Sequence, residues 1–220
     1  MGNVKMTIMV TLALGASVAS ADKLSDFKDA VAKKGCESIP YSDYRSSCQS
    51  QQDQVHDWCD GARGPVTCGS EAVTRQVKDN LEKEKKGVEE LKDKRSKLQD
   101  SKSRASTDDE KNKIGKDIEQ VEKDIYEGEK RVEQAQKDLE TRKKLVDDAI
   151  YTLDRCVDYR RAVMNSFAAA LDKVRNESET PEIADLARQL RNRYEEGKSG
   201  HEEQITARNN ALSTCKNSRP

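Results

Sequence analysis

Apolar residues recur alternately every three and four positions from Ile114 to Val174. Only three of the 18 positions break the pattern, namely Gly128, Arg142 and Arg160. The mean spacing of about 3.5 residues is the period of a left-handed coiled coil. The pattern therefore predicts one long central helix, whose seam alone would extend about 90 Å at the helical rise per residue.

A shorter seam of the same period precedes the long helix and follows Ser70, a candidate N-cap. A polar stretch over residues 101–107 then interrupts it, and Thr107 with Glu110 forms a capping box that restarts the helix. We place the long helix at about residues 108–175. The two seams then face each other in an antiparallel hairpin.

Matching the two seams outward from the turn pairs Leu98 with Ile114 and Val88 with Ile125, and apolar positions keep meeting one another further along. One layer is poor, because Glu84 faces Gly128. We expect a weak point or bend at that level. The stripe is only two positions wide before about residue 145, as two-stranded pairing requires, and wider beyond it, as a helix in a bundle requires.

A last helix is predicted to begin at Thr180-Pro181-Glu182, a cap followed by a first-turn proline and an acid that suits the helix dipole. Folding it back on the long helix sets its apolar face against the segment beyond residue 146. In that register Phe167 meets Leu190 and His201 lies opposite Cys156.

The predicted fold is all-α: an antiparallel coiled-coil hairpin stalk projecting from a small, disulfide-stapled helical bundle, with the long helix shared by both. A Cys-rich helical module over residues 22–69 forms part of this head, with Ser42 as cap of its second helix. The stalk covers residues 70–145 with its tip near 101–107. A helical hairpin over residues 146–216 completes the head.

The first residues are typical of a secretory signal peptide. Lys5 is followed by an apolar run and then by Ala19-Ser20-Ala21, a small-x-small cleavage site, which predicts a cut after Ala21. The apolar run is too short to span a membrane. We therefore expect a secreted or periplasmic protein with no membrane insertion after signal cleavage.

Composition narrows the class of partner. Without the first 21 residues the chain has 39 basic and 41 acidic residues, and the two signs are interspersed. Nucleic acid and anionic membranes attract a net positive face, so we expect neither as an obligatory partner. Charged residues make up 37% of the chain and aromatics 4%, which suits thin helical layers better than a thick globular core.

The chain has six cysteines, an even number in an exported chain with a thin core, which indicates three disulfides. The predicted registers favour Cys68 with Cys215, because both lie near the level of Arg142 on the long helix. Cys59 with Cys156 is the second choice. Cys36 with Cys48 follows by elimination.

Two arrangements could carry chemistry. The predicted register places His201 opposite Cys156, which would suit a thiolate–imidazole pair in an enzyme, and His56 with Cys59 could add metal ligands. A bridged cysteine beside a half-buried histidine is the simpler interpretation. The cysteine spacings do not resemble those of zinc sites, so we predict no catalytic, cofactor-binding or metal site.

Three further positions have structural interpretations. Arg142 and Arg160 on the seam could each hold a buried partner, but such residues more often lie at the edge of an apolar stripe with packed stems. Glu195 and Glu196 come near the predicted level of Arg160, which favours the stripe edge. Asn176-Glu177-Ser178 matches the acceptor pattern for N-glycosylation, which would have meaning only in a eukaryotic secretory route.

The sequence as a whole is most typical of a non-enzymatic, exported coiled-coil protein that acts as a structural spacer or protein-binding module. Its partner would be an unidentified protein, or a second copy bound through the stalk. A cysteine/histidine-dependent enzyme or metal site at Cys156 and His201, and a membrane-active helical protein, are the alternatives.

Overall fold

The chain was analysed as a computed structural model, which describes residues 21–60 and 67–220. The predicted signal peptide, apart from Ala21, lies outside the described residues. All regular secondary structure in the described ranges is helical, which confirms the all-α class.

Five helices make up the described chain. They are α1 over residues 21–32, α2 over Ser42–Val55, α3 over Glu71–Arg104, α4 over Asp108–Arg175 and α5 over Pro181–Asn217. A 3-10 turn at Gly35–Ser38 separates α1 from α2, and a π-helical turn at His56–Asp60 continues α2. The long central helix therefore has the predicted bounds.

Side-chain caps begin the three long helices where the sequence predicts them. The Ser70 hydroxyl accepts a hydrogen bond from the Val73 backbone N–H at 3.4 Å. Thr107 and Thr180 accept in the same way from the backbone N–H groups three residues further on, at 3.3 and 3.2 Å. Each cap satisfies one of the donors that a first helical turn leaves unpaired.

Two helix ends differ from the sequence prediction. The N-cap of α2 is Tyr41, so Ser42 is the first helical residue and not its cap. Helix α3 continues to Arg104 through the polar stretch, because Ser101 and Ser103 donate hydrogen bonds back to carbonyls within the helix, at 2.9 and 2.7 Å. Serines that bond backwards in this way are compatible with helical backbone.

The chain forms two compact units. In its described part the first unit comprises residues 21–60 and 152–212, and the second comprises residues 67–151 and 213–220. Helix α4 contributes residues 108–151 to the second unit and 152–175 to the first, and the predicted stalk and head divide the chain at residue 145.

The first unit has a continuous apolar core. Tyr194 is buried at its centre, where its hydroxyl donates to the Ser38 carbonyl at 2.6 Å and its ring lies 5.9 Å from that of Phe167. Around it are buried side chains from every helix of the unit: Phe27, Ala30, Ile39, Val55, Val163, Ala170, Val174, Ile183, Ala187 and Leu190. Full burial of one such aliphatic side chain stabilises the fold by about 1.5–3 kcal/mol.

The second unit buries a single row of residues where α3 and α4 meet. Its buried apolar side chains include Leu81 and Val88 on α3, and Val121 and Ile125 on α4. Other apolar seam positions, such as Leu91, are only partly covered. A stripe this narrow is what two paired helices can shield from water.

The contacts between α3 and α4 differ from the predicted register by three residues. Val88 Cγ2 lies 2.8 Å from the position that a Cβ on Gly128 would take, whereas Val88 was expected beside Ile125. The Glu84 carboxylate, expected opposite Gly128, accepts from Arg131 Nε at 2.9 Å. Gly128 therefore accommodates an apolar side chain and does not face an acid.

Among the described residues, no helix carries an apolar stretch long enough to span a bilayer.

Candidate functional site

Three disulfides join Cys36 to Cys48, Cys59 to Cys156 and Cys68 to Cys215. These are the pairs that the sequence favours. Their Cα separations of 5.2 to 5.4 Å lie in the ordinary range for disulfides. The first two lie within the first unit and the third within the second. Disulfides of this kind are typical of proteins that mature in an oxidising compartment.

The predicted Cys156–His201 pair does not form a nucleophile and base in this structure. Cys156 is buried and bonded to Cys59, so it has no thiolate to attack a substrate. The ring of His201 lies 6.1 Å from that of Phe167, which is 11 residues, or about three helical turns, beyond Cys156 on α4.

Burial lowers the pKa of His201 below its usual 6.5, and the positive charge of Arg160 lowers it further. Both effects favour the neutral imidazole. His201 is therefore the half-buried packing histidine of the simpler interpretation.

The suggested metal ligands His56 and Cys59 do not form a metal-binding pair. Cys59 is in a disulfide and offers no thiolate, and the imidazole of His56 is exposed. Within residues 21–60 and 67–220, no group of three or more His, Cys, Asp or Glu side chains is arranged to hold a metal ion.

Arg142 is the buried polar centre of the second unit. Its Nε donates to the Thr74 hydroxyl at 2.9 Å and its Nη2 to the Ser70 carbonyl at 3.3 Å. Thr74 in turn donates to the Ser218 carbonyl at 2.7 Å. Arg142 is buried, not at a solvated stripe edge, because these oxygens satisfy its N–H groups.

Arg160 is the corresponding buried arginine of the first unit. Its Nη2 lies 3.3 and 3.5 Å from the two carboxylate oxygens of Asp60. The sequence places Glu195 and Glu196 near Arg160, but Glu195 contacts Arg175 at 3.9 Å. The prediction fails because α5 lies about one heptad further along α4 than the apolar pattern suggests.

Around Arg160, besides His201 Nδ1, two arginine nitrogens have no hydrogen-bond partner among the residues that the structure describes. They are the buried Nε atoms of Arg160 and Arg208. Burial lowers the pKa of Arg160, the carboxylate of Asp60 opposes this shift, and the charge of Arg208 adds to it. The sequence does not indicate Arg208 as a functional candidate, because a single arginine on a helix belongs to no motif.

The outer surface of α3 and α4 is strongly charged, with many ion pairs between exposed side chains. Tyr126, Leu145 and Tyr151 are large apolar residues that α4 leaves more than half exposed. A shallow groove of about 270 Å³ runs between the helices beside Val77 and Ala135.

Asn176 is exposed in the turn between α4 and α5. The turn is held by Lys23, whose ammonium donates at 2.6 Å to both Glu177 and Glu179. The hydrogen bond to Glu177 is the largest cause of a raised pKa of Lys23. The acceptor pattern is thus presented on an ordered turn.

Comparison with known proteins finds no match: no protein-family model fits the chain, and neither a characterised protein nor a solved structure is similar to it.

Proposed function

We propose that this chain is an exported, non-enzymatic coiled-coil protein that serves as a structural spacer or protein-binding module. Its α3 and α4 form the coiled coil, and its partner is another protein or a second copy of the chain. The signal-like first 21 residues and the three disulfides support the export.

The observation that carries the proposal is the single buried row between α3 and α4. Because α3 and the part of α4 in the second unit share so little core, most of their other side chains are at the surface. A unit built in this way offers other molecules an extended surface. Charged residues with a few exposed aromatics are suited to protein contacts, in which aromatic side chains contribute much of the affinity.

Site-specific photo-crosslinking tests the proposal in the cells that make the protein. Tyr126 and Tyr151 are replaced, one at a time, by a photoreactive phenylalanine derivative, and adducts are identified by mass spectrometry. We expect discrete protein adducts at both positions. An adduct of twice the chain mass would identify a second copy as the partner.

The matched control places the same group at Asn192, an exposed position of α5 in the first unit. Adducts that are absent from Tyr126 and Tyr151, or equally abundant at Asn192, would contradict a specific contact surface on α4.

A further inference from the structure

Helices α4 and α5 bring two arginines together in the first unit. The ring of His201 lies against Phe167, and Arg175 contacts Glu195, so the two helices run in opposite directions. Arg160 precedes Phe167 by seven residues and Arg208 follows His201 by seven. Since seven residues are close to two helical turns, Arg160 and Arg208 meet on the same side of this helix pair.

The arginines are covered to different extents. Arg160 is only 8% exposed, whereas Arg208 is half-buried and reaches the solvent. The buried Nε–H of each has no acceptor in the described part of the chain. A buried donor left without an acceptor costs about 1–3 kcal/mol of stability, and more for a charged group. A bound molecule that accepts from these N–H groups would remove that cost.

Charge supports the same conclusion. The Asp60 carboxylate bonds Arg160 through Nη2 and not through Nε. The charge of Arg208 also acts on Arg160 and opposes the effect of Asp60, so a second positive charge lies beside the first. The fixed fork of N–H donors on each arginine matches the oxygens of an oxyanion.

We propose that Arg160 and Arg208 form a binding site for a small tetrahedral oxyanion of the phosphate and sulfate class. The anion accepts from the Nε–H groups of both arginines and bridges α4 to α5. It enters from the Arg208 side, while Asp60 keeps Arg160 in place. This site is independent of any contact surface on α3 and α4.

Thermal unfolding in sodium phosphate, sodium sulfate and sodium chloride of equal ionic strength tests the site, because an anion that binds only the folded state raises the Tm. Phosphate or sulfate should raise the Tm of the wild-type protein above its value in chloride. The anion whose rise exceeds that in the Arg208→Gln variant by more is the preferred one. No rise with either would overturn the proposal.

The variant Arg208→Gln removes one ligand at a partly exposed position. It should weaken phosphate binding by about tenfold or more, as expected for one charge-assisted hydrogen bond. The matched control is Arg188→Gln, which removes the same charge from an exposed position of α5 and should bind as the wild type does. Sulfate and phosphate also stabilise proteins by exclusion from the surface, but that effect would be equal in both variants. Equal anion effects in the two variants would therefore refute the site.

A second measurement does not depend on how the variant folds. In the wild-type protein, phosphate should shift the NMR signals of the Arg160 and Arg208 Nε–H groups and raise the pKa of His201. Chloride should do neither. Signals that respond to the two salts alike would exclude binding between these arginines.

Discussion

Gly128 shows how one missing side chain sets the distance between two helices. A Cβ built at Gly128 would lie only 2.8 Å from Val88 Cγ2, which is too close for two carbon atoms. Val88 is β-branched and has little freedom at χ1, so it cannot turn away at low cost. The helices approach closely here because position 128 has no side chain.

Substitution of Gly128 by alanine should therefore be unfavourable relative to the same change at Gly87. A Cβ at Gly87 meets nothing within 4 Å, so Gly87→Ala should stabilise the protein by up to about 1 kcal/mol through helix propensity. Gly128→Ala has the same gain in helix propensity, but it forces Val88 to move, which costs about 1–3 kcal/mol of stability. Urea unfolding measures the difference between the two variants. Equal free energies of unfolding would mean that α3 and α4 separate easily.

His201 predicts a pH dependence of stability. Its pKa in the folded state is lowered by burial and by Arg160, so the folded protein binds the proton less readily than the unfolded chain. The stabilising contribution is complete above pH 6.5 and decreases as the pH falls from there through the lowered pKa. Protonation of His201 at acid pH should therefore lower the free energy of unfolding.

The test compares free energies of unfolding at pH 7.5, 6.5 and 5.5 in a buffer without oxyanions. The advantage of the wild-type protein over His201→Gln should shrink as the pH falls. The matched control is His56→Gln, which replaces an exposed histidine by the same residue. A constant difference between wild type and His201→Gln would contradict the lowered pKa.

At the scale of elements, local sequence signals give the helix ends and the apolar faces. Ser70, Thr107 and Thr180 mark three N-termini because a capping hydroxyl acts on N–H groups only three residues away. The local sequence signals determine the axial register of α3 against α4 less well. Sliding one apolar seam past another by three or four residues again brings apolar positions together, so the pattern alone allows several registers. The contacts Val88–Gly128 and Glu84–Arg131 select among them.

Two disulfides offer a comparison between a short and a long connection. Cys36–Cys48 spans 12 residues, and Cys68–Cys215 spans 147 and ties the start of α3 to the end of α5. A cross-link restricts the unfolded chain more when its loop is longer. Replacing both Cys68 and Cys215 by serine should lower the free energy of unfolding by about 2 kcal/mol more than replacing both Cys36 and Cys48.

Urea unfolding of the two double variants, with the remaining disulfides verified by mass spectrometry, measures this difference. A larger loss in the Cys36 and Cys48 variant would show that local packing around the short loop outweighs chain entropy.

At the scale of the whole molecule, the three disulfides and the signal-like first residues lead to one expectation. Export with cleavage after Ala21 should give a mature chain that begins at Asp22 and contains no free thiol. Intact mass spectrometry of the exported protein should find the mass lowered by residues 1–21 and by two hydrogens for each disulfide.

The variant Ala21→Arg should block cleavage, since signal peptidases require a small residue there. A mature chain that keeps residues 1–21 would contradict the proposed export.

The sequence by itself determined the three long helices, their caps and their apolar faces, because each depends on neighbours within about one turn or on a repeat along one helix. It also favoured the three disulfide pairs that the structure contains, since cysteines can bridge only where elements reach the same level. Only the tertiary structure decided which side chains meet across helices.

The clearest example is Arg160. Its sequence position indicates a solvated stripe edge with Glu195 and Glu196 nearby, but in the fold it is buried, bonded to Asp60 and opposite Arg208. Asp60 is 100 residues away in the chain, and no periodic pattern connects the two. A shift of one heptad between α4 and α5 keeps their apolar faces together, while it changes the polar neighbours of Arg160. The apolar pattern thus specifies the core, whereas the charged residues that meet around it depend on an axial offset that packing alone sets.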